Sequence, residues 1–82
     1  MKPILVCRRP FLKITVYPNR VEVVKGLRLL HGTTTIPIRN IASVHASPFM
    51  QTLNIFTTDG RVYAYGVNFG AEAIKRAIED CL

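Results

Sequence analysis

The stretch "TTTIPIRNIASV", Thr33–Val44, has the pattern that decides the fold. Its apolar residues are spaced two apart at first and three apart later: Ile36, Ile38, Ile41 and Val44. A β-strand places every second residue on one face, so this change of spacing indicates a turn or an inserted residue. We interpret Arg39-Asn40 as a turn or bulge that resets the register and returns the later residues to the same core. Pro37 has no backbone N–H and favours a sheet edge or corner.

Upstream of this stretch, "FLKITVYPNRVEVVKG" has the alternation of a β-hairpin. β-branched residues fill both arms, and Pro18-Asn19 is a typical turn between them. The preceding "PILVC" predicts one more short strand, which Pro10 ends or bends.

Downstream, "TLNIFTTDGRVYAYGV" predicts a second hairpin. Asp59-Gly60 supplies the positive φ of a tight primed turn or of a bulged loop. We expect one face of this hairpin to carry Leu53, Ile55, Val62 and Ala64, and the opposite face to carry Phe56, Tyr63 and Tyr65, with Arg61 beside them. Three interpretations of the aromatic face stay open: cross-strand packing, a stacking platform for nucleic acid, and a protein contact.

The C-terminal stretch "NFGAEAIKRAIEDCL" changes to a helical period and predicts a helix over residues 69–82. Asn68 is the expected N-cap. One face of the helix collects apolar residues: Phe69, Ala73, Ile74, Ala77, Ile78 and Cys81. The predicted fold is therefore mainly β with one C-terminal α-helix. We expect a small antiparallel, partly open barrel of six to seven strands, within residues 3–67, closed at one end by the helix.

Length and composition bound the class of protein. The chain has 82 residues, of which 49% are hydrophobic and 20% charged, as expected for one folded domain spanning residues 1–82. No apolar run approaches the roughly 20 residues of a transmembrane helix, and no export signal is apparent, so we expect a cytoplasmic protein. Cys7 and Cys81 have no metal-ligand spacing and predict two reduced thiols. A disulfide between them would require the first strand to touch the last helix.

Four pieces in this order resemble a known family: "ITVYPNRVEVVKG", "TTTIPIRNIASV", "LNIFTTDGRVYAYGV" and "AEAIKRAIEDCL". Together they resemble the bacterial pleckstrin-homology-like (PH-like) domains over residues 14–82. The resemblance implies a barrel of two near-orthogonal sheets with the C-terminal helix closing one end. Lipid binders, peptide binders and oligomerising modules share that scaffold, so the resemblance gives no function. Phosphoinositide-binding members have several basic residues on their first two strands; here only Arg8, Arg9 and Lys13 lie there.

No catalytic motif or phosphate-binding glycine loop is present, and an enzyme would need His31 and His45 to cluster in a pocket. We predict a non-enzymatic binding or assembly module without cofactor or metal, which contacts protein partners or itself through its sheet edges. The candidate protein interface is Val24, Leu29, Phe49, Phe56, Tyr63 and Tyr65.

The net charge of +6 supports an alternative, an electrostatic binder of nucleic acid or anionic lipid. The candidate contacts with phosphate or other anions are Arg8, Arg9, Lys13, Arg20, Lys25 and Arg28. Salt dependence separates the two functions, because a phosphate contact weakens steeply with ionic strength and an apolar contact does not.

Overall fold

Seven β-strands and one α-helix make up the computed structural model, which describes residues 2–26, 31–47, 51–67 and 70–82. The strands are β1 (Leu5–Arg9), β2 (Leu12–Val16), β3 (Arg20–Gly26), β4 (His31–Pro37), β5 (Ile41–Ser47), β6 (Thr52–Thr57) and β7 (Val62–Gly66). The helix is α1 (Ala71–Glu79), and a single 3₁₀ turn, Ile38–Asn40, joins β4 to β5.

The strands form two antiparallel sheets. Strands β1 to β4 pair in chain order in one sheet, and β5 to β7 pair in chain order in the other. The mainly-β class with one C-terminal helix is thereby confirmed. No described strand pairs across the two sheets, so they are not closed into a barrel by backbone hydrogen bonds. Each sheet therefore has two edges, which are β1 and β4 in the first and β5 and β7 in the second.

The two-then-three spacing of the opening stretch is produced by two successive irregularities. The 3₁₀ turn at Ile38–Asn40 ends β4, and a register shift between Ile41 and Ser43 then bulges the start of β5. Ala42 is the exposed residue within that bulge. All four apolar residues of the stretch are buried, as predicted: Ile36, Ile38, Ile41 and Val44. Pro37 ends the edge strand β4, which confirms its edge position.

The β6–β7 hairpin has the bulged loop rather than the tight primed turn. Gly60 N–H donates to Thr57 C=O at 3.1 Å, and Thr57 N–H donates to Arg61 C=O at 3.0 Å. Gly60 has φ of 87°, the left-handed conformation that glycine adopts without strain, whereas Asp59 is not left-handed. A primed type I turn needs two left-handed residues, so this loop is a type I turn closed by a glycine bulge.

The bulged loop makes the predicted faces of this hairpin wrong. A two-residue Asp59-Gly60 turn would place Ala64 opposite Ile55, but the loop shifts the register by one residue and pairs Ile55 with Tyr63. A shift of one residue turns every side chain of a strand to the other face. Tyr65 is consequently buried opposite Leu53, and the outer face has instead an exposed pair, Phe56 and Val62.

Helix α1 packs against strands of both sheets and is shorter than predicted. Its N-cap is Gly70, whereas the predicted cap Asn68 and the predicted core residue Phe69 lie outside the described residues. The buried helical residues are Ala71, Ile74, Ala77 and Ile78. Ala73 was predicted in this core and is exposed, because at 100° per residue it lies about 110° from the centre of the buried stripe.

Both cysteines are free and half-buried. Cys7 Sγ lies beside Gly70, at the start of α1, and Cys81 follows the end of the helix. With a rise of 1.5 Å per residue, the two thiols are roughly 15 Å apart along the helix, too far for a disulfide within one chain. None of the described helices is long and apolar enough to cross a lipid bilayer.

Candidate functional site

The edge strand β4 has seven residues, "HGTTTIP", and none of them is acidic, lysine or arginine. Gly32, Thr33 and Thr35 are exposed to solvent. Natural proteins commonly protect a free sheet edge with charged side chains, prolines or bulges. β4 has only its terminal proline for this purpose, and its Thr35–Pro37 end borders a cleft of about 200 Å³ whose other wall includes Asp59, Arg61 and Tyr63 of the β6–β7 hairpin.

The hydrogen bonds of the neighbouring hairpin show which backbone groups of β4 are free. Tyr17 N–H donates to Arg20 C=O at 2.8 Å, so the backbone of Arg20 faces β2. This direction alternates along an antiparallel strand, so Val21 faces β4 and bonds its register partner Ile36. Every second residue of β4, counted back from Ile36, is therefore engaged with β3.

Thr33 and Thr35 are the residues in between. Their N–H and C=O groups point away from the sheet, and no described residue hydrogen-bonds to them. Thr34 lies between them and faces β3, where Val23 is its partner. We call the outward backbone of Thr33 and Thr35 the β4 edge.

The other sheet edges are less open to an added strand. β1 has two arginines in five residues, and β5 is bulged at its start. β7 has no charged residue but is only five residues long, and the backbone just beyond it is occupied, because Val67 C=O accepts a hydrogen bond from Arg9 Nε at 3.0 Å. Among the described strands, β4 thus combines length, regularity and absence of charge.

Four of the six predicted anion contacts lie at one end of the first sheet, two on each of its faces. Arg8 lies directly opposite Lys13, and Arg9 and Lys25 lie in the next row with Leu12 between them. We call Arg8, Arg9, Lys13 and Lys25 the basic end. Like charges placed directly opposite each other destabilise a sheet unless something neutralises them.

No acidic side chain of the protein neutralises the basic end. All five acidic residues are described, and four of them pair with cations elsewhere. Those ion pairs are Arg20–Glu22, Arg61–Asp59, Lys75–Glu79 and Arg76–Glu72. The fifth acid, Asp80, follows the end of α1. The basic end therefore has an excess of positive charge that an external anion can balance.

An exposed aromatic residue lies at the centre of the basic end. Phe11, in the β1–β2 turn, is 61% exposed, with a cleft of about 280 Å³ on one side and another of about 320 Å³ on the other. Lys25 Nζ is 5.8 Å from the centroid of the Tyr65 ring, within the range of a cation–π contact. Arg9 is the least available cation, since its guanidinium donates to Arg8 C=O as well as to Val67 C=O.

The two remaining predicted anion contacts do not join the basic end. Arg20 lies at the other end of β3, where its Nε is 3.0 Å from Glu22 Oε1 and its guanidinium is 4.0 Å from the centroid of the Tyr17 ring. Arg28 lies outside the described residues.

The predicted protein-interface residues are dispersed. Leu29 and Phe49 lie outside the described residues, and Val24 is half-buried on β3. The three aromatic residues do not share a face, so they form no common stacking platform. Phe56 is exposed on the outer face of the second sheet. The rings of Tyr63 and Tyr65 face the core, and burial is the main cause that raises the pKa of Tyr65.

The acidic loop residue Asp59 has a structural role in the β6–β7 turn. The Thr57 hydroxyl donates to its carboxylate, and this hydrogen bond is the main reason that the pKa of Asp59 is lowered. Arg61 Nε is 3.4 Å from the same carboxylate, and both side chains are largely exposed, so this ion pair contributes little to stability.

The structure does not bring the histidines into a described catalytic cluster. His45 is exposed on β5, and the side chain of His31 lies outside the described part of the chain. Among the described residues, no group of three or more His, Cys, Asp or Glu side chains is placed to hold a metal ion. That the protein is not an enzyme stays a prediction.

A wider cleft of about 710 Å³ lies at the opposite end of the first sheet. The Pro18–Arg20 turn, the 3₁₀ turn and Cys81 line it. Arg39 is exposed at its rim and forms no ion pair with a described residue, whereas Arg20 is occupied by Glu22. The cleft lacks the convergent polar groups that mark a small-molecule site.

No family model, curated protein or solved structure matches the chain. The resemblance to PH-like domains therefore stays a prediction, and the β4 edge and the basic end are the features of this chain that bear on its function.

Proposed function

We propose that the protein is a non-enzymatic binding or assembly module on a PH-like barrel scaffold, which contacts an extended protein segment through the β4 edge. One observation carries this proposal: seven consecutive uncharged residues form a regular edge strand whose outward backbone groups have no described partner.

The chemistry of this contact is β-strand addition. An extended segment placed beside β4 can exchange backbone hydrogen bonds with Thr33 and Thr35, and main-chain bonds of this type supply affinity without a particular side-chain sequence. Threonine favours the extended conformation, so β4 is already in the geometry that the added strand needs. Pro37 lacks an N–H donor and weakens pairing at the end of the strand.

A titration with a neutral extended peptide tests this proposal. A capped Thr-Val hexapeptide is added to the ¹⁵N-labelled protein while amide shifts and amide hydrogen exchange are followed by NMR. We expect the Thr33 and Thr35 amides to shift and to exchange more slowly, while the Thr34 amide, already bonded to β3, keeps its exchange rate. Unchanged Thr33 and Thr35 amides at millimolar peptide contradict the proposal.

A matched pair of variants makes this test specific for the backbone. Thr35→Pro removes an outward N–H and leaves the β3–β4 ladder intact, since proline is tolerated on an edge and Thr34 before it is already extended. Thr35→Val changes the side chain and keeps the N–H. We expect Thr35→Pro to abolish the peptide response and Thr35→Val to retain it, with both variants folded by circular dichroism.

A second candidate function is anion binding at the basic end, and the unneutralised Arg8–Lys13 pair beside exposed Phe11 favours it. The probes are single-stranded nucleic acid, anionic vesicles and neutral vesicles. The variant Arg8→Gln/Lys13→Gln is compared with Lys75→Gln/Arg76→Gln, which lowers the net charge equally but removes cations paired on the helix.

If the basic end binds phosphates, only the first of these two variants weakens binding. For single-stranded nucleic acid, the magnitude of the slope of log affinity against log salt then decreases by about 1.4. Equal effects of the two variants would show that net charge alone attracts the anion. Vesicle binding without nucleic-acid binding identifies a lipid surface as the target.

A further inference from the structure

At the β4 edge, two copies of this chain can pair their strands without bringing lysine or arginine side chains of those strands together. The chain has a net charge of +6, so two copies repel each other over most approaches. The seven residues of β4 contain no lysine or arginine. Of the basic end, Arg8, Arg9 and Lys13 lie on the two far strands, β1 and β2, whereas Lys25 lies on β3 opposite Gly32. We infer that β4 pairs antiparallel with β4 of a second copy about a twofold axis at Thr34; this rests on the proposed function of the β4 edge.

The outward backbone groups of β4 are self-complementary about that axis. Thr33 lies opposite Thr35 of the second copy, and both have an outward N–H and C=O, so each such pair exchanges two hydrogen bonds. Thr34 faces its own β3 and meets Thr34 of the second copy as the non-bonded pair that antiparallel geometry requires between two bonded ones. Pro37 lies opposite His31 and accepts one bond, since it has no N–H.

The alternation of hydrogen bonds also selects this axis over its neighbours. A shift that places outward residues opposite inward ones leaves unpaired groups and is disfavoured. A twofold axis at Thr33 or at Thr35 still places outward residues opposite outward residues, but in each copy two residues of β4 are then left without a partner on the other β4. The axis at Thr34 alone keeps all seven residues paired, and it joins the two four-stranded sheets into one continuous sheet of both copies.

The side chains at the pairing are compatible with this register. Thr33 and Thr35 of the two copies become cross-strand neighbours on the outer face, and threonine pairs of this kind stabilise sheets. The interface is smaller than that of a permanent dimer, so we expect a weak, concentration-dependent association.

Two double variants test both the self-association and its register. Thr33→Lys/Thr35→Lys places two lysines opposite each other in each of the two bonded pairs, whereas Thr33→Lys/Thr35→Glu places an introduced lysine opposite an introduced glutamate. Sedimentation velocity is measured for wild type and both variants over about 10 µM to 1 mM, the range in which weak complexes dissociate. Circular dichroism confirms that both variants fold.

We expect wild type and the lysine–glutamate variant to dimerise, and the lysine–lysine variant to have a dissociation constant at least about 10-fold higher than the lysine–glutamate variant. This difference shrinks at high salt. A wild type that stays monomeric to 1 mM overturns the inference, and so does a dimer that both variants retain equally.

The outcomes separate this inference from the function on which it rests. If wild type is monomeric but the neutral peptide shifts the Thr33 and Thr35 amides, self-pairing is wrong and the β4 edge still binds an extended partner. If neither concentration nor peptide affects those amides, both are wrong.

Discussion

Replacing Ile74 tests whether α1 covers the core of the sheets as the structure shows. Ile74 is fully buried, and Ile→Ala substitutions at such sites cost about 2–5 kcal/mol through lost apolar burial and the remaining cavity. A chain of this size has a total stability of about 4–12 kcal/mol, so Ile74→Ala removes a large part of it and lowers Tm by about 8–40 °C. Ile74→Asp also buries a carboxylate, and we expect it to unfold the protein at 25 °C.

The adjacent residue provides the control. Ala73→Asp introduces the same side chain on the exposed face, where a lower helix propensity costs up to about 0.7 kcal/mol. The carboxylate then lies in the first turn of α1, where the helix dipole returns about 0.3–1 kcal/mol. We expect circular dichroism melts and urea titrations to show Ala73→Asp close to wild type. Equal losses in Ala73→Asp and Ile74→Asp would refute this helix orientation and would support the face that the sequence predicted, on which both residues lie.

Three further predictions concern the turns that position the sheets and the helix. Gly60→Ala forces a side chain into the left-handed conformation at φ of 87°, and its urea midpoint should show a loss of about 1–2 kcal/mol. Gly70→Ala places a methyl group 2.9 Å from both Cys7 Sγ and Arg9 Nη2, so a double-mutant cycle with Cys7→Ala, which relieves the contact with sulfur, should give a double variant more stable than the sum of the two single changes; strict additivity refutes the contact with Cys7. The pKa of Asp59 is lowered in the folded protein, so its contribution to stability is present above its unfolded pKa of about 4 and lost as pH falls through the lower folded value. Below pH 4, the urea midpoint of Asp59→Asn should therefore depend less on pH than that of wild type. An unchanged pH dependence contradicts the contribution of the Asp59 carboxylate to stability.

The hydrophobic spacing predicts most elements of the fold but not their register. The spacing of Ile36, Ile38, Ile41 and Val44 correctly places all four in one core. In the β6–β7 hairpin, the alternation along β7 allows either of its two faces to point to the core. The length of the loop selects the face, and the bulge at Gly60 turns Tyr63 and Tyr65 to the face opposite the predicted one. Local sequence does not distinguish a two-residue turn from this loop, because both use Asp-Gly.

The candidate sites were predictable to different degrees. The strand pattern brings Arg8 opposite Lys13, so the core of the basic end follows from the sequence. That Arg20 lies away from the basic end does not follow from the sequence, because its pairing with Glu22 depends on where β3 begins. Phe11 and the β4 edge were not predicted from the sequence. The absence of charge in "HGTTTIP" was a visible signal, but only the strand order shows that this segment is an edge.

Amide hydrogen exchange at β4 as a function of protein concentration tests the central claim most directly. If β4 is an open edge strand, the Thr34 amide is protected at every concentration, because it is hydrogen-bonded to β3. The Thr33 and Thr35 amides should exchange freely in dilute protein and gain protection as concentration rises toward about 1 mM. Thr33 and Thr35 amides that are already protected in dilute protein would contradict an open edge. Amides that stay unprotected while the protein associates would place the contact elsewhere.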